Sequence, residues 1–235
     1  MQSMKVGMMV KRWELLVMVI GSLALFLGAW TKILPLGMTE TLGFVTGAVG
    51  VWLTVKENIW NWPIGIANSA FFVALFFEAH LFADMALQVI YIILGFLGWY
   101  WWLRGGANQS TLHVSRAGRM TLLILATIGV IATGGLTVFL RSVGDAAPFL
   151  DALTTILSLT AQYLLTRKLI ENWYIWITAD IIYIGLYGSR GLYLTAALYA
   201  LFLGLCLLGL RSWRNSLTPN QSASQPLIVA AEGVR

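Results

Sequence analysis

Eight apolar runs divide this sequence, and they constrain its fold more strongly than any other feature. A run of about 20 apolar residues can cross the hydrocarbon core of a bilayer as a helix. The chain of 235 residues is 59% hydrophobic and 11% charged, whereas soluble domains carry about 25% charged residues. The sequence therefore predicts an all-α membrane protein with eight transmembrane helices. The predicted spans are 13–35, 39–56, 62–79, 82–103, 119–140, 147–166, 172–188 and 191–211.

The positive charges predict the orientation of these spans, because Lys and Arg favour cytoplasmic loops. With the N-terminus in the cytoplasm, the inside segments hold 12 of the 15 Lys and Arg residues. Only Lys32, Arg141 and Arg190 then lie outside. Both termini are therefore predicted to be cytoplasmic, and the net charge of +5 does not indicate a nucleic-acid partner. The apolar run after Lys11 and Arg12 is too long for a secretory signal.

The chain also repeats itself at a shift of 111 residues, without a gap. The matches include Asn61-Trp62 with Asn172-Trp173, Gly98 with Gly209, and Trp102 with Trp213. The repeating unit is three spans long, so the fifth span is needed to bring the second unit back in the same orientation. This pattern predicts an extra first helix followed by a 3+1+3 parallel repeat. Parallel repeats of this kind occur in transporters, with the substrate site near the bilayer midplane.

Five segments follow from the repeat. They are an N-terminal segment with the extra helix (1–38), the first three-helix repeat (39–104), a linker with the connecting helix (105–146), the second three-helix repeat (147–214) and a polar tail (215–235). The tail has too little apolar surface to fold alone and is predicted to be a disordered cytoplasmic segment.

A stripe of three residues in the seventh span is the main candidate site. Asn172, Trp176 and Asp180 are four residues apart and therefore share one face of a helix. Asp180 lies about 12 Å along the run at about 1.5 Å per residue, which is near the midplane of a core of about 30 Å. A carboxylate at that depth is expensive and usually marks a functional cavity. The alternative is a structural partner of a Tyr or Thr.

Other polar and aromatic side chains lie inside the spans and complete the candidate set. They are Trp62, Asn68, Gln88, Tyr91, Gln162 and Tyr183. Amides, a carboxylate and flat rings suit a small polar solute that carries a ring and hydroxyl groups. The amides could instead be hydrogen-bond glue between helices. Trp62 and Trp173 fit either the site or the interfacial aromatic belt, whereas Trp60, Trp99, Trp101, Trp102 and Trp213 are predicted to belong to the belt.

The sequence gives little support to an enzyme. The single cysteine, Cys206, excludes a disulfide framework and a Cys-based metal site. His80 and Asp84 are four residues apart but have no third ligand nearby. There is no Ser-His-Asp set, no HExxH and no Gly-rich phosphate loop. We therefore expect neither a catalytic residue, nor a metal, nor a cofactor.

Two motif sets, one in each repeat, resemble the PnuC-type vitamin transporters. The first comprises Trp62-Pro63-x-Gly65, Phe76-Phe77, Asp84-x-x-Leu87-Gln88-x-x-Tyr91 and Gly98-Trp99-Tyr100-x-Trp102. The second is Asn172-x-x-x-Trp176-x-x-x-Asp180. The resemblance covers about residues 40–213. It implies a 3+1+3 carrier similar to the SWEET sugar carriers, often a homotrimer, in the bacterial inner membrane.

The resemblance also implies a function. The family takes up nicotinamide riboside by facilitated diffusion, and phosphorylation by a cytoplasmic riboside kinase then traps the riboside. The resemblance places Asn172, Trp176 and Asp180 in the site, with the nicotinamide ring stacked on Trp176. Gln88, Tyr91 and Gln162 are then expected to contact the ribose or the carboxamide. The first repeat has Gly65 and Ser69 where the second has Trp176 and Asp180, so the site should be asymmetric.

Three hypotheses remain open at this point. The first is a nicotinamide riboside uniporter. The second is a carrier of the same fold for thiamine, riboflavin or a deoxynucleoside. The third is an intramembrane enzyme or scaffold, against which the missing catalytic residues weigh.

Overall fold

The computed structural model describes residues 12–34, 37–78, 80, 82–145 and 147–217. Within these ranges the chain forms eight α-helices and one 3₁₀ turn at Ala107–Gln109, with no strand. The helices are α1 (Arg12–Trp30), α2 (Met38–Val55), α3 (Asn61–Glu78), α4 (Phe82–Arg104), α5 (Arg119–Ser142), α6 (Pro148–Thr166), α7 (Glu171–Ser189) and α8 (Tyr193–Leu217). The predicted all-α fold with eight helices is confirmed for the described residues.

Each predicted span corresponds to one helix, and the largest differences lie at the two ends of the chain. Helix α1 ends at Trp30 rather than at residue 35. Helix α8 continues to Leu217, so the first three residues of the predicted disordered tail are helical. The rest of the predicted tail, 218–235, lies outside the described residues. Four helical segments are long and apolar enough to cross a membrane: Asp84–Arg104, Arg119–Ser142, Pro148–Thr166 and Tyr193–Leu217.

We refer to α2, α3 and α4 as the first unit and to α6, α7 and α8 as the second unit. In the first unit α3 packs closely on α4 and also on α2, and in the second unit α7 packs closely on α8 and also on α6. The units meet along two lines, where α2 contacts α8 and α4 contacts α6. Helix α5 packs on α6, and helix α1 packs on α2. A space between the two units is therefore surrounded by six helices.

Four buried tryptophans hold the units together. The rings of Trp62 and Trp102 meet edge to face at 5.4 Å, as do those of Trp173 and Trp213. Trp102 also lies 6.0 Å from Trp213, across the boundary between the units. All four side chains are at most 3% exposed. Edge-to-face pairs of this kind contribute about 0.5–1.5 kcal/mol beyond the burial of their area.

The prediction that Trp102 and Trp213 lie in the interfacial belt is wrong. Each indole N–H donates a hydrogen bond to the last turn of a helix in the other unit, Trp102 to the carbonyl of Leu165 (3.1 Å) and Trp213 to that of Thr54 (3.0 Å). Each of these carbonyls also accepts from the backbone N–H three residues on, that of Lys168 or Glu57, so the indole adds a second bond at a helix end, where carbonyls lack i+4 partners. Trp60, by contrast, is 63% exposed.

Two glycines make room for this tryptophan cluster. A methyl group at Gly98 of α4 would overlap the ring of Trp62, and one at Gly209 of α8 would overlap the ring of Trp173. Glycine therefore allows α3 to approach α4, and α7 to approach α8, with the outer edge of an indole against each glycine.

The segment between α4 and α5 folds back onto the turn between α6 and α7. Ser115 forms an isolated parallel bridge with Leu169, and Lys168 donates to the carbonyl of Leu112 (3.0 Å). The backbone N–H of Ala117 donates to the carboxylate of Glu171 (2.9 Å). We call this end of the bundle, with Lys56, Arg104, Arg167, Lys168, Arg211 and Arg214, the basic end.

Candidate functional site

A cavity of about 310 Å³ lies between the two units. Residues from α2, α3, α4, α6, α7 and α8 line it. Seven of the nine predicted site residues are among them: Trp62, Asn68, Tyr91, Gln162, Asn172, Trp176 and Asp180. The volume falls at the lower end of the range of about 300–1,000 Å³ that is typical of small-molecule sites.

The predicted stripe of α7 forms one wall of this cavity. Asn172 is fully buried, Trp176 is half-buried, and Asp180 is 6% exposed. Because these residues are four apart, their side chains follow one another along the helix. The wall thus presents an amide, an indole and a carboxyl group in sequence. A hydrogen bond of 3.4 Å from the thiol of Cys206 reaches one oxygen of Asp180.

Four buried polar atoms at the cavity have no hydrogen-bond partner within the described chain. They are Asn61 Oδ1, Trp62 Nε1, Asn172 Oδ1 and Trp173 Nε1. Leaving a buried polar group unsatisfied costs about 1–3 kcal/mol. All four residues line the cavity, but none of the four atoms has surface that a solute could reach in this conformation.

The two sides of the cavity differ. Gly65 and Ser69 of α3 line the side of the cavity opposite the α7 stripe. The 111-residue shift aligns these two residues in sequence with Trp176 and Asp180. Among the described residues, no other side chain lies within 4 Å of the position that a Cβ at Gly65 would occupy. The indole of Trp176 therefore occupies the α7 side of the cavity, whereas the α3 side is open at Gly65.

Asn68 has two roles in the geometry. It lines the cavity, and its amide also donates to the hydroxyl of Thr46 and to the carbonyl of Gly43 (3.4 Å), both on α2. It therefore ties α3 to α2, as expected of hydrogen-bond glue between helices.

Two predicted residues, Gln88 and Tyr183, are not among the residues that line this cavity. Gln88 lies one turn before Tyr91 on α4, and Tyr183 lies one turn after Asp180 on α7. Gln88 and Tyr183 therefore lie farther from the basic end than Tyr91 and Asp180 do. The ring of Tyr183 packs against Tyr187 at 6.0 Å and against Tyr199 at 4.7 Å.

The sequence-based set also omits several lining residues. These are chiefly Thr46, Thr54, Asn61, Trp173, Tyr199 and Cys206. One signal for two of them was present, because the 111-residue shift places Asn61-Trp62 on Asn172-Trp173. Asn61 and Trp173 are the repeat counterparts of Asn172 and Trp62, and all four residues line the cavity.

A bundle of apolar helices around a mostly apolar, aromatic-lined cavity with a few polar groups is the architecture of a membrane transporter. Residues 37–215 match the model of the family described as nicotinamide mononucleotide transporter. The chain belongs to this family of membrane transporters, which includes the PnuC proteins, and the predicted resemblance is confirmed. The family transports and does not catalyse a reaction, so the prediction of a non-enzyme also holds.

Individual relatives agree with this assignment. The chain is 28% identical over 207 residues to the nicotinamide riboside transporter PnuC of Escherichia coli (strain K12), covering 77% of this chain and 87% of the relative. It is 23% identical over 180 residues to the riboflavin/roseoflavin transporter RibM of Streptomyces davaonensis. This match covers 74% of this chain and 84% of the relative. The fold is similar to the crystal structure of the vitamin B3 transporter PnuC, with a TM-score of 0.68 and 20% sequence identity. The match covers 89% of this chain and 93% of the PnuC chain.

Proposed function

We propose that this chain carries nicotinamide riboside across the bacterial inner membrane by facilitated diffusion. The observation that carries the proposal is the α7 stripe, Asn172, Trp176 and Asp180, along one wall of a cavity between the two units. The relatives that are named nicotinamide riboside transporters support the choice of substrate.

The chemistry of the wall fits the two ends of this substrate. The nicotinamide ring is flat and cationic, so the face of Trp176 offers a cation–π contact of about 0.5–2 kcal/mol. Asp180 supplies a carboxyl group one turn away. Asn172, Tyr91 and Gln162 line the same cavity, and a turn of the Asn172 amide brings its unpaired oxygen to the carboxamide or to a ribose hydroxyl. Trp62, Asn68, Gln88 and Tyr183 complete the proposed site.

We further propose that the two units are copies of one repeat in a 3+1+3 arrangement, preceded by α1. Matched contacts support this: Trp62 packs on Gly98 as Trp173 packs on Gly209. The hydrogen bond from Trp102 to Leu165 likewise matches the one from Trp213 to Thr54. Carriers built from parallel repeats expose a fixed site alternately by rocking one half against the other.

Four further proposals follow from the family resemblance and from the charge distribution. The carrier needs no coupling ion, because phosphorylation by a cytoplasmic riboside kinase removes the free riboside and traps it. Both termini lie in the cytoplasm, which puts the basic end inside. The protein spans the bilayer as a homotrimer. No nucleic acid takes part.

Riboflavin is the second candidate substrate, because one relative is named a riboflavin/roseoflavin transporter. Its three fused rings need more room than a single pyridine ring. The cavity of about 310 Å³ favours the smaller ligand.

A binding screen of the purified chain tests this choice of substrate. Nicotinamide riboside, thiamine, riboflavin and deoxynucleosides are titrated separately by calorimetry. We expect the riboside to bind at least tenfold more tightly than the others, a difference of about 1.4 kcal/mol. Tighter binding of riboflavin or thiamine would instead assign the cavity to that vitamin.

A further inference from the structure

A second cavity, of about 920 Å³, lies on the outside of the bundle between α1, α2 and α8. It is bounded by one stripe from each helix, with residues three or four apart, such as Val17, Gly21 and Leu25 on α1 and Leu201, Leu205 and Leu208 on α8. Helix α1 packs on α2, so the space between α1 and α8 forms a groove over α2. We call it the α1–α8 groove.

The groove is apolar along its length and polar at one end. Leu201 and Leu208 are 55% and 57% exposed, and Val17 is 61% exposed. At the basic end the lining changes to Glu14, Lys56, Arg211, Ser212 and Asn215. A groove of this kind joins a long apolar surface to a cluster of hydrogen-bond donors.

Arg211 carries the unpaired charge of this cluster. Lys56 forms an ion pair of 2.6 Å with the carboxylate of Glu14. Arg211 is exposed and makes no ion pair or hydrogen bond with any part of the chain that the structure describes. Ser212 and Asn215 stand beside it with a hydroxyl and an amide. The polar end therefore has a net positive charge and free donors for an anion.

We propose that the α1–α8 groove binds an anionic phospholipid. The acyl chains lie along the apolar stripes, and the phosphate contacts Arg211, Ser212 and Asn215. Basic pockets between transmembrane helices on the cytoplasmic side bind anionic head groups. Each Lys or Arg at an anionic membrane surface contributes about 1 kcal/mol, or about a fivefold change in affinity.

The distribution of charge argues against a second copy of the chain as the occupant. The basic end of every copy carries the same excess of Lys and Arg. Helices of a second copy inserted in the same orientation would bring positive charges against Arg211. A phosphate brings the opposite charge to that position.

Native mass spectrometry of the full-length protein tests the proposal with two lipids, dioleoylphosphatidylglycerol and dioleoylphosphatidylcholine. We expect the natural chain to retain the anionic lipid about fivefold more than the neutral one. Arg211→Gln should remove this preference. The matched control, Arg104→Gln, changes an exposed arginine at the same end but outside the groove, and should keep it.

A second variant tests the apolar part of the groove independently of charge. Among the described residues no other side chain lies within 4 Å of a Cβ at Gly21, and Gly21 lines the groove, so Gly21→Leu extends a side chain into it. It should lower retention of both lipids, whereas Gly134→Leu, a control glycine of α5 with equally open space, should not.

Three results would overturn the proposal. One is equal retention of both lipids by the natural chain. Another is an unchanged preference in Arg211→Gln. The third is a change of oligomeric state in Gly21→Leu with unchanged lipid retention, which would assign the groove to a second copy.

Discussion

Glu57 and Lys168 form an ion pair of 2.9 Å that joins the two three-helix units at the basic end. Each residue lies two positions after the end of a helix, α2 or α6, and each has a positive φ, 53° and 55°. The left-handed conformation costs a residue with a side chain about 1–2 kcal/mol. Glycine would fit both turns with less strain, but only side chains can form this pair.

Removing Glu57 should destabilise the protein more than removing its partner. The side chain of Lys168 is 2% exposed, whereas that of Glu57 is 20% exposed and also accepts from Ser216. Leaving one charge of a buried pair without its partner costs about 3–5 kcal/mol. Glu57→Gln should therefore lower the free energy of unfolding in detergent by about 3 kcal/mol, and Lys168→Met by less. Glu78→Gln, an exposed control, should have little effect, and the opposite order of the two pair variants would contradict this account of the pair.

The glycines under the tryptophans should tolerate no side chain. Gly98→Ala and Gly209→Ala would press a methyl group into a buried indole ring, and overpacking of this kind costs about 1–3 kcal/mol. Gly204→Ala is the control on α8, because no atom lies within 4 Å of the added Cβ. It should be neutral or slightly stabilising. Thermal unfolding of the three purified variants measures the difference, and equal melting temperatures would show that the rings move aside.

The helices and the α7 stripe were predictable from the sequence, because apolar runs and four-residue spacing are local properties. The burial of Trp102 and Trp213 was not, since their hydrogen-bond acceptors at Leu165 and Thr54 are distant in sequence. An indole near the end of an apolar run looks the same whether it faces lipid or the end of another helix.

How far the cavity extends along its helices could not be predicted from the sequence either. Gln88 and Tyr183 are on helices that line it, but one turn too far from the basic end. Where the cavity ends depends on how the rings of Tyr183, Tyr187 and Tyr199 pack together. The contact of Tyr183 with Tyr187 follows from their four-residue spacing on α7, but the contacts of both rings with Tyr199 depend on how α7 packs against α8.

Trp176 and Asn172 should control affinity. Trp176→Ala removes an aromatic contact of about 0.5–1.5 kcal/mol together with its buried area. Asn172→Ala leaves a ligand hydroxyl or amide unpaired, at about 1–3 kcal/mol. Each change should weaken riboside binding about tenfold or more in titrations of folded protein. Trp60→Ala, at an exposed tryptophan, should bind normally, and normal affinity in both site variants would move the site away from α7.

Cys206 offers a direct report on occupancy of the cavity, because it is the single cysteine of the chain and lines the cavity beside Asp180. At 4% exposure it should react slowly with a small alkylating reagent. Saturating nicotinamide riboside should slow the reaction further, as followed by mass spectrometry, with Cys206→Ala as the unlabelled control. A rate that does not change with the riboside would place the substrate elsewhere.

Uptake of labelled nicotinamide riboside into liposomes that contain the purified protein tests the central claim most directly. A uniporter without a coupling ion should bring the internal concentration up to the external one and stop there. It should do so equally with and without a pH gradient, although an intramembrane carboxylate such as Asp180 could carry a proton. Uptake no faster than in protein-free liposomes, or accumulation above the external concentration driven by protons, would contradict the account.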